Sequence, residues 1–263
     1  MNLLQAILFG IVQGLTEFIP VSSSGHLVLL HEAMGITDTG LVFDVALHFG
    51  TLLAMVIYFY KDIQKLVLGL SGKNDYQRLA WFLALATIPA AVLGFLLQDL
   101  AETTFRSPLV VAFNLILVAL LMLVAEKVAA GRKDKTPLKK TSLKQAVAIG
   151  FAQAAALVPG VSRSGATITT GLFGGLDRVS ATRFSFLLGI PIMIGAVAKV
   201  LLDEGSIAQV SSEAGIFTAG VLAALLSGVL AIRFLLRYLA GHTLAVFAYY
   251  RIALGIITLL IAL

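Results

Sequence analysis

Five residues able to do chemistry, Glu17, Ser22, Ser23, Ser24 and His26, stand close together in the stretch QGLTEFIPVSSSGHLVLL at 13–30. A hydroxyl, an imidazole and a carboxylate supply a nucleophile, a base and an orienting or metal-binding acid. Ser23 and His26 are three residues apart, near enough on one helical turn to meet. A second stretch, LVPGVSRSGATITTG at 157–171, adds Arg163, whose planar fork suits phosphate oxygens. Both stretches lie in apolar surroundings. An ionisable group at membrane depth costs roughly 2.5–3.5 kcal/mol and so faces a protein interior or a wet cavity. Pro20 removes a backbone donor and disfavours helix just before it. The elements that must position these residues are therefore broken helices: a helix, a break at about 19–23 and a second helix from about Ser24, with a similar broken segment at 146–176. Two helix N-termini, near Ser24 and Ser164, then bring free N–H groups and positive dipole ends toward the midplane, which favours anions and phosphate above all. Gly25 and Gly165 let backbone approach such a ligand closely. An anion clamp beside a nucleophile suits phosphoryl transfer; on these residues alone, anion transport fits almost as well.

The 263-residue chain is 59% hydrophobic and 13% charged, with a mean hydropathy of +0.98. A soluble domain is about 25% charged. Long continuous apolar runs, rather than short alternating strands, exclude a β-barrel and predict an all-α polytopic membrane protein. There is no cysteine, hence no disulfide, thiol nucleophile or thiolate metal site. The net charge of +5 points to loops on an anionic membrane face rather than to nucleic acid. The N-terminus MNLLQAILFG lacks a basic region and a small-residue cleavage site and is not read as a cleaved signal peptide. Spans of about 20 residues are predicted at 41–60, 79–97, 109–125, 184–202, 215–236 and 244–263.

The chain repeats itself. Shifted by 140 positions, Ala6, Gly10, Gln13, Val21, Ser22, Ser24 and Gly25 fall on Ala146, Gly150, Gln153, Val161, Ser162, Ser164 and Gly165; at 141, Phe43 falls on Phe184 and Asp62 on Asp203. One membrane domain is read, with a first repeat at 1–126 (re-entrant pair about 3–34), a basic cytoplasmic loop at 127–144 and a second repeat at 145–263 (re-entrant pair about 146–176). Each half crosses three times, so the second half is inverted, an arrangement that sets a site near the midplane where broken helices meet. On this topology 15 of the 19 Lys and Arg fall on one face, among them Lys61, Lys65, Lys73, Arg78, Arg178, Arg183, Arg233, Arg237 and the seven in 127–144. The other face holds Arg106 and Lys199 with the acidic Asp99, Glu102, Asp203, Glu204 and Glu213. The positive-inside rule makes the first face cytoplasmic and puts both termini outside.

QGLTEFIPVSSSGH at 13–26 and PGVSRSGAT at 159–167 resemble the two signature motifs of the bacterial undecaprenyl-diphosphate phosphatases, the bacitracin-resistance family, and the likeness extends to FAYYR at 247–251. The resemblance implies an inner-membrane enzyme. It would remove the terminal phosphate of undecaprenyl diphosphate, recycling the carrier for peptidoglycan, with its active site toward the outer face. It also implies a divalent cation, Mg2+ or Ca2+, a polyprenyl diphosphate lipid partner among membrane lipids, and no nucleic acid; a homodimer is compatible with it. Carried over by motif, Glu17, Ser23, His26 and Arg163 are catalytic and Glu17 is the metal ligand. Gln13, Ser22, Ser24, Gly25, Ser162, Ser164, Gly165 and Thr167 contact substrate, and Arg251 is either a second phosphate contact or a structural cation. Family members often carry glutamate where this chain has Gln13, so a second acidic ligand is absent. Ser23 attacking with His26 as base is the favoured scheme; attack by His26 with Ser23 positioning phosphate is the alternative. A transporter or flippase for an anionic lipid or solute is the competing function. His31 and His48 are read as ordinary polar contacts, Pro89 and Pro191 as kinks, 127–144 as a solvated connector, and GLFGG at 171–175 as close packing without a P-loop lysine.

Overall fold

The computed structural model describes residues 1–36, 40–72, 74–97 and 107–262. Lys73, Asp99, Glu102 and Arg106, which enter the charge argument, lie outside the described residues. The described residues form twelve α-helices in the order α1 Leu3–Phe18, α2 Ser23–Met34, α3 Gly40–Tyr58, α4 Tyr60–Gly69, α5 Asp75–Leu96, α6 Pro108–Ala130, α7 Leu143–Ala155, α8 Arg163–Gly174, α9 Arg178–Leu201, α10 Glu204–Ser212, α11 Ala214–Gly241 and α12 Ala245–Ala262. Four of them, α5, α6, α9 and α11, are long and apolar enough to cross a membrane. This is a multi-pass helical membrane protein.

Two predicted spans differ from the helices found. The 41–60 run ends at Tyr58, and after Phe59 the chain turns by 72° into α4. The polar residues of YKDIQK at 60–65 explain the turn: they leave the apolar direction of α3 while Phe59 stays fully buried. The run at 244–263 forms α12, which falls among the shorter apolar helices. Capping explains several starts. Asn2 and Gln5 close a capping box on α1, and Ser142 and Gln145 close the same box on α7, 140 positions later. The breaks come where predicted, at 19–22 and 156–162. The four helices flanking them have 16, 12, 13 and 12 residues, each short of the roughly 20 needed to cross the hydrocarbon core alone.

Packing interleaves the two halves. α1 and α3 lie on α11, α7 and α9 lie on α5, α6 lies on α12, and α3 meets α9 centrally. Small residues permit this, as is usual for helices in lipid. A Cβ built on Gly150 would sit 2.5 Å from the Ala86 carbonyl oxygen, and Gly10 abuts Gly220 of α11 in the same way. Around the centre, Phe186 receives the edges of Phe18 and Phe59 at centroid distances of 5.2 and 6.1 Å.

The basic segment is docked rather than free, a departure from the solvated connector expected of it. Thr136 N–H donates to the Gly175 carbonyl at 2.9 Å, Asp177 N–H donates back to Thr136 at 3.2 Å, and Arg132 Nη2 donates to the Phe173 carbonyl at 2.6 Å. The lysines stay solvated while the backbone caps the end of α8.

Candidate active site

The site is built where the first residues of α2 and α8 meet the end of α1. Each of these two helices is capped by a serine in the left-handed region, Ser22 at φ 77° and Ser162 at φ 73°. Non-glycine residues avoid that region at a cost of about 1–3 kcal/mol each, and such strain clusters at ligand sites. Each cap hydroxyl accepts a backbone N–H three residues on, from Gly25 at 3.3 Å and from Gly165 at 3.1 Å. Each also lies within hydrogen-bond reach of the next serine but one, Ser24 at 3.4 Å and Ser164 at 3.3 Å. Six of the residues expected to touch substrate thus form two matching helix caps. Their side chains serve the turn, and their helices aim Ser23 and Arg163.

Those two side chains meet at one carboxylate. Ser23 Oγ donates to Glu17 Oε2 at 2.6 Å, and Arg163 Nη2 donates to Glu17 Oε1 at 2.6 Å across 146 residues of chain. Gln13 Nε2 donates to Oε2 at 3.2 Å from one turn earlier on α1. Arg163 is steadied by the Ser185 carbonyl at 3.0 Å, and its guanidinium lies against Gly189, where any side chain would displace it. Thr167 stands apart from the expected substrate contact. It is fully buried and hydrogen-bonded to the Arg163 carbonyl at 2.7 Å and to the Ser185 hydroxyl at 2.6 Å, so it fixes α8 against α9.

Three placements bear on the sequence reading. The first concerns Ser23 and His26, which were expected to pair. His26 Nδ1 faces the Ser22 carbonyl at 2.7 Å and its Nε2 faces the Tyr250 hydroxyl at 2.7 Å, while the hydroxyl of Ser23 goes to Glu17. In the first turn of α2 the Ser23 side chain turns back toward α1, and the imidazole turns toward α12.

The second concerns Arg251, read as either a phosphate contact or a structural cation. It is 0% exposed, and its guanidinium donates to five backbone carbonyls. Pro20 belongs to the first break, Gly160 and Val161 to the second, and Asn114 and Leu115 to α6. Broken helices leave carbonyls without intrahelical partners; Arg251 satisfies them from α12, and Asn114 Nδ2 adds a bond to the Pro159 carbonyl at 3.1 Å.

The third is His48, read as an ordinary contact. Its Nδ1 is held by the Asp44 carbonyl at 2.8 Å and its Nε2 lies 3.6 Å from Glu17 Oε2, with 28% of the side chain exposed. One signal could have found it: the shift of 141 that pairs Phe43 with Phe184 pairs His48 with Gly189, the residue beneath Arg163. His31 pairs with Asp44 at 2.9 Å, away from this cluster.

For a divalent cation the donors around Glu17 are its carboxylate and the Gln13 amide oxygen, which is buried without a hydrogen-bond partner. No group of three or more His, Cys, Asp or Glu suited to a metal occurs among the described residues. That donor set fits a hard cation held by one carboxylate, water and a ligand's own phosphates, the usual manner for Mg2+, and does not fit an all-protein cage.

Comparison with known proteins gives a single family. Residues 6–257 match the family described as Bacitracin resistance protein BacA. The chain is 49% identical over 265 residues to an undecaprenyl-diphosphatase of Rubrobacter xylanophilus, covering 97% of this chain and 96% of that one. It is 47% identical over 257 residues to that of Moorella thermoacetica, with the same coverage. With that of Desulforudis audaxviator it shares 43% over 266 residues, covering 100% of this chain and 99% of the relative.

Proposed function

The chain belongs to the bacitracin resistance protein BacA family, and on that premise we propose that it is an integral membrane phosphatase hydrolysing undecaprenyl diphosphate to undecaprenyl phosphate and phosphate. The observation that carries the chemistry is the 2.6 Å bond from Ser23 Oγ to the Glu17 carboxylate. Ser23 attacks the terminal phosphorus and its proton passes to Glu17. The bond from that phosphorus to the bridging oxygen breaks, and the lipid monophosphate leaves. Water then releases phosphate from the serine. Arg163, at the N-terminus of α8, turns from Glu17 to the phosphoryl oxygens, where positive charge and free helix N–H groups stabilise the transferring group. Glu17, with the Gln13 amide oxygen, would hold a divalent cation, which when bound neutralises diphosphate charge. Ser23 is favoured over His26 as the attacking group because the serine hydroxyl, and not the imidazole, is hydrogen-bonded to Glu17.

The isoprenoid tail needs an apolar path from this cluster. A cleft of about 320 Å³ lies between α3, α9, α10 and α11, lined by Val45, Phe49, Val197, Leu201, Thr218 and Leu222. Val45 and Phe49 flank His48 along α3, so the cleft begins within a helical turn of the site. We assign it to the first isoprene units.

The two halves are read as an inverted-topology repeat. Exchanging each helix for its counterpart turns the α1–α11 contact into α7–α5 and the α3–α11 contact into α9–α5. The matched capping boxes and the matched φ values of Ser22 and Ser162 support the same reading. With the basic face cytoplasmic, the termini and the Glu17 site face outward across a bacterial plasma membrane.

The test is phosphate release by detergent-purified protein from undecaprenyl and farnesyl diphosphate, with and without chelator. Ser23→Ala should lose at least about 10²-fold in kcat, and Arg163→Ala should lose kcat and raise KM together. Thr218→Trp should impair only the long-chain substrate. Release from neither substrate by folded wild type, with Mg2+ or Ca2+ supplied, would overturn the reading in favour of a carrier; equal effects of Thr218→Trp on both chain lengths would remove the tail from this cleft.

A further inference from the structure

Tyr250 lies in the FAYYR stretch at 247–251 and was given no chemical role there, yet its hydroxyl lies 2.7 Å from His26 Nε2 across 224 residues of sequence. The two rings are stacked, with planes 5° apart and centroids 5.7 Å apart. The other ring nitrogen settles the direction of the bond. Nδ1 faces the Ser22 carbonyl at 2.7 Å, and a carbonyl only accepts, so Nδ1 carries the proton. In a neutral imidazole Nε2 then bears the lone pair and Tyr250 donates to it.

The next residue explains why Tyr250 stays in register. Arg251 is tied to Pro20, Gly160 and Val161, the carbonyls of both helix breaks, and to α6. That anchor fixes α12 against the loop from which α2 starts. Tyr250 is therefore carried to His26 by a buried neighbour while its own ring remains 47% exposed.

We propose that Tyr250 is a positioning residue for the phosphatase reaction: its hydroxyl, with the Ser22 carbonyl, holds His26 neutral with the proton on Nδ1 and the lone pair on Nε2, so that Nε2 takes the proton of the water that attacks the phosphoserine, while the serine oxygen recovers its proton from Glu17 as its bond to phosphorus breaks. The proposal rests on the phosphatase reading for its kinetic part and on geometry alone for its spectroscopic part. It goes beyond the residues given a chemical role above, because it adds a group from the last helix and assigns each ring nitrogen a role.

The test uses full-length protein labelled with 15N-histidine. The chain has four histidines, and His26→Gln identifies the His26 signals by their loss. Wild type at neutral pH should show the Nδ1–H tautomer at His26. Tyr250→Phe keeps the ring and its stacking but removes the donor. It should mix the two tautomers of His26, leave the other three histidines unchanged, and lower kcat about tenfold with KM within twofold. An Nε2–H tautomer or an imidazolium in wild type overturns the proposal, as does a Tyr250→Phe protein with unchanged tautomer or unchanged kcat. If wild type releases no phosphate, the phosphatase reading fails by itself, and the tautomer still decides whether Tyr250 sets the proton on His26.

Discussion

Glu17 receives at its two oxygens the first side chains of two different helices. Its charge offsets Arg163, and its Oε2 accepts the Ser23 hydrogen bond along which the proposed reaction passes the proton. Glu17→Gln keeps the shape and removes both services. Phosphate release should fall by about 10²–10⁴-fold, the range of a lost general base. Unfolding in detergent should become easier by about 3 kcal/mol, because Arg163 is left as an unpaired cation in a mostly buried position. Unchanged turnover would remove Glu17 from the proton path; unchanged stability would mean that Arg163 finds another partner. At this scale the sequence was informative about types and less so about pairs. Glu17, Ser23 and Arg163 were legible because polar groups in apolar surroundings need a reason. The partner of Ser23 was misread, because a three-residue spacing constrains backbone position and leaves the side chain free to turn either way. His48 and Tyr250 were illegible as partners, since each reaches its contact from a distant helix.

The helix breaks show how local chemistry stands in for an absent turn of helix. Ser22 and Ser162 each hold a strained backbone angle and a cap bond at once, and the two effects separate by substitution. Ser162→Gly relieves the strain at φ 73° and loses the cap, so stability should stay within about 0.5 kcal/mol of wild type. Ser162→Ala loses the cap and keeps the strain, and should cost about 1–2 kcal/mol. Thermal unfolding of the two variants in one detergent checks the order; an alanine variant at least as stable as the glycine one would refute the strain argument. The breaks were legible to within a residue or two from Pro20, the serine runs and the shift of 140 positions. The turn at Phe59 and the short helix α10 were not. Both lie where polar residues interrupt an apolar run, and composition alone does not say whether a chain ends or bends there.

For the whole molecule, the distribution of charge predicts a sidedness that packing alone cannot supply. Lys135→Cys in this cysteine-free chain should react with a membrane-impermeant maleimide only after cells are opened. Labelling of intact cells would reverse the orientation and put Glu17 on the cytoplasmic side. The class and the order of elements were legible from hydropathy and the internal repeat; the interleaving was not, because periodicity marks a face for burial without naming its partner. That interleaving has a consequence for biogenesis. α1 closes on α11, with Ser227 Oγ reaching the Gly10 carbonyl across 217 residues. At about 5–20 residues per second the ribosome takes roughly 10–40 s to make that intervening chain. Throughout this interval the first hairpin has no α11 to lie on; Arg163 is made before α11, and Arg251, which binds the open Pro20 carbonyl of the break, only after it. A nascent chain in that condition must be sheltered by the insertion machinery, and one arrested before Arg163 presents the Glu17 carboxylate without its cation, the kind of fault that membrane quality control can recognise and remove.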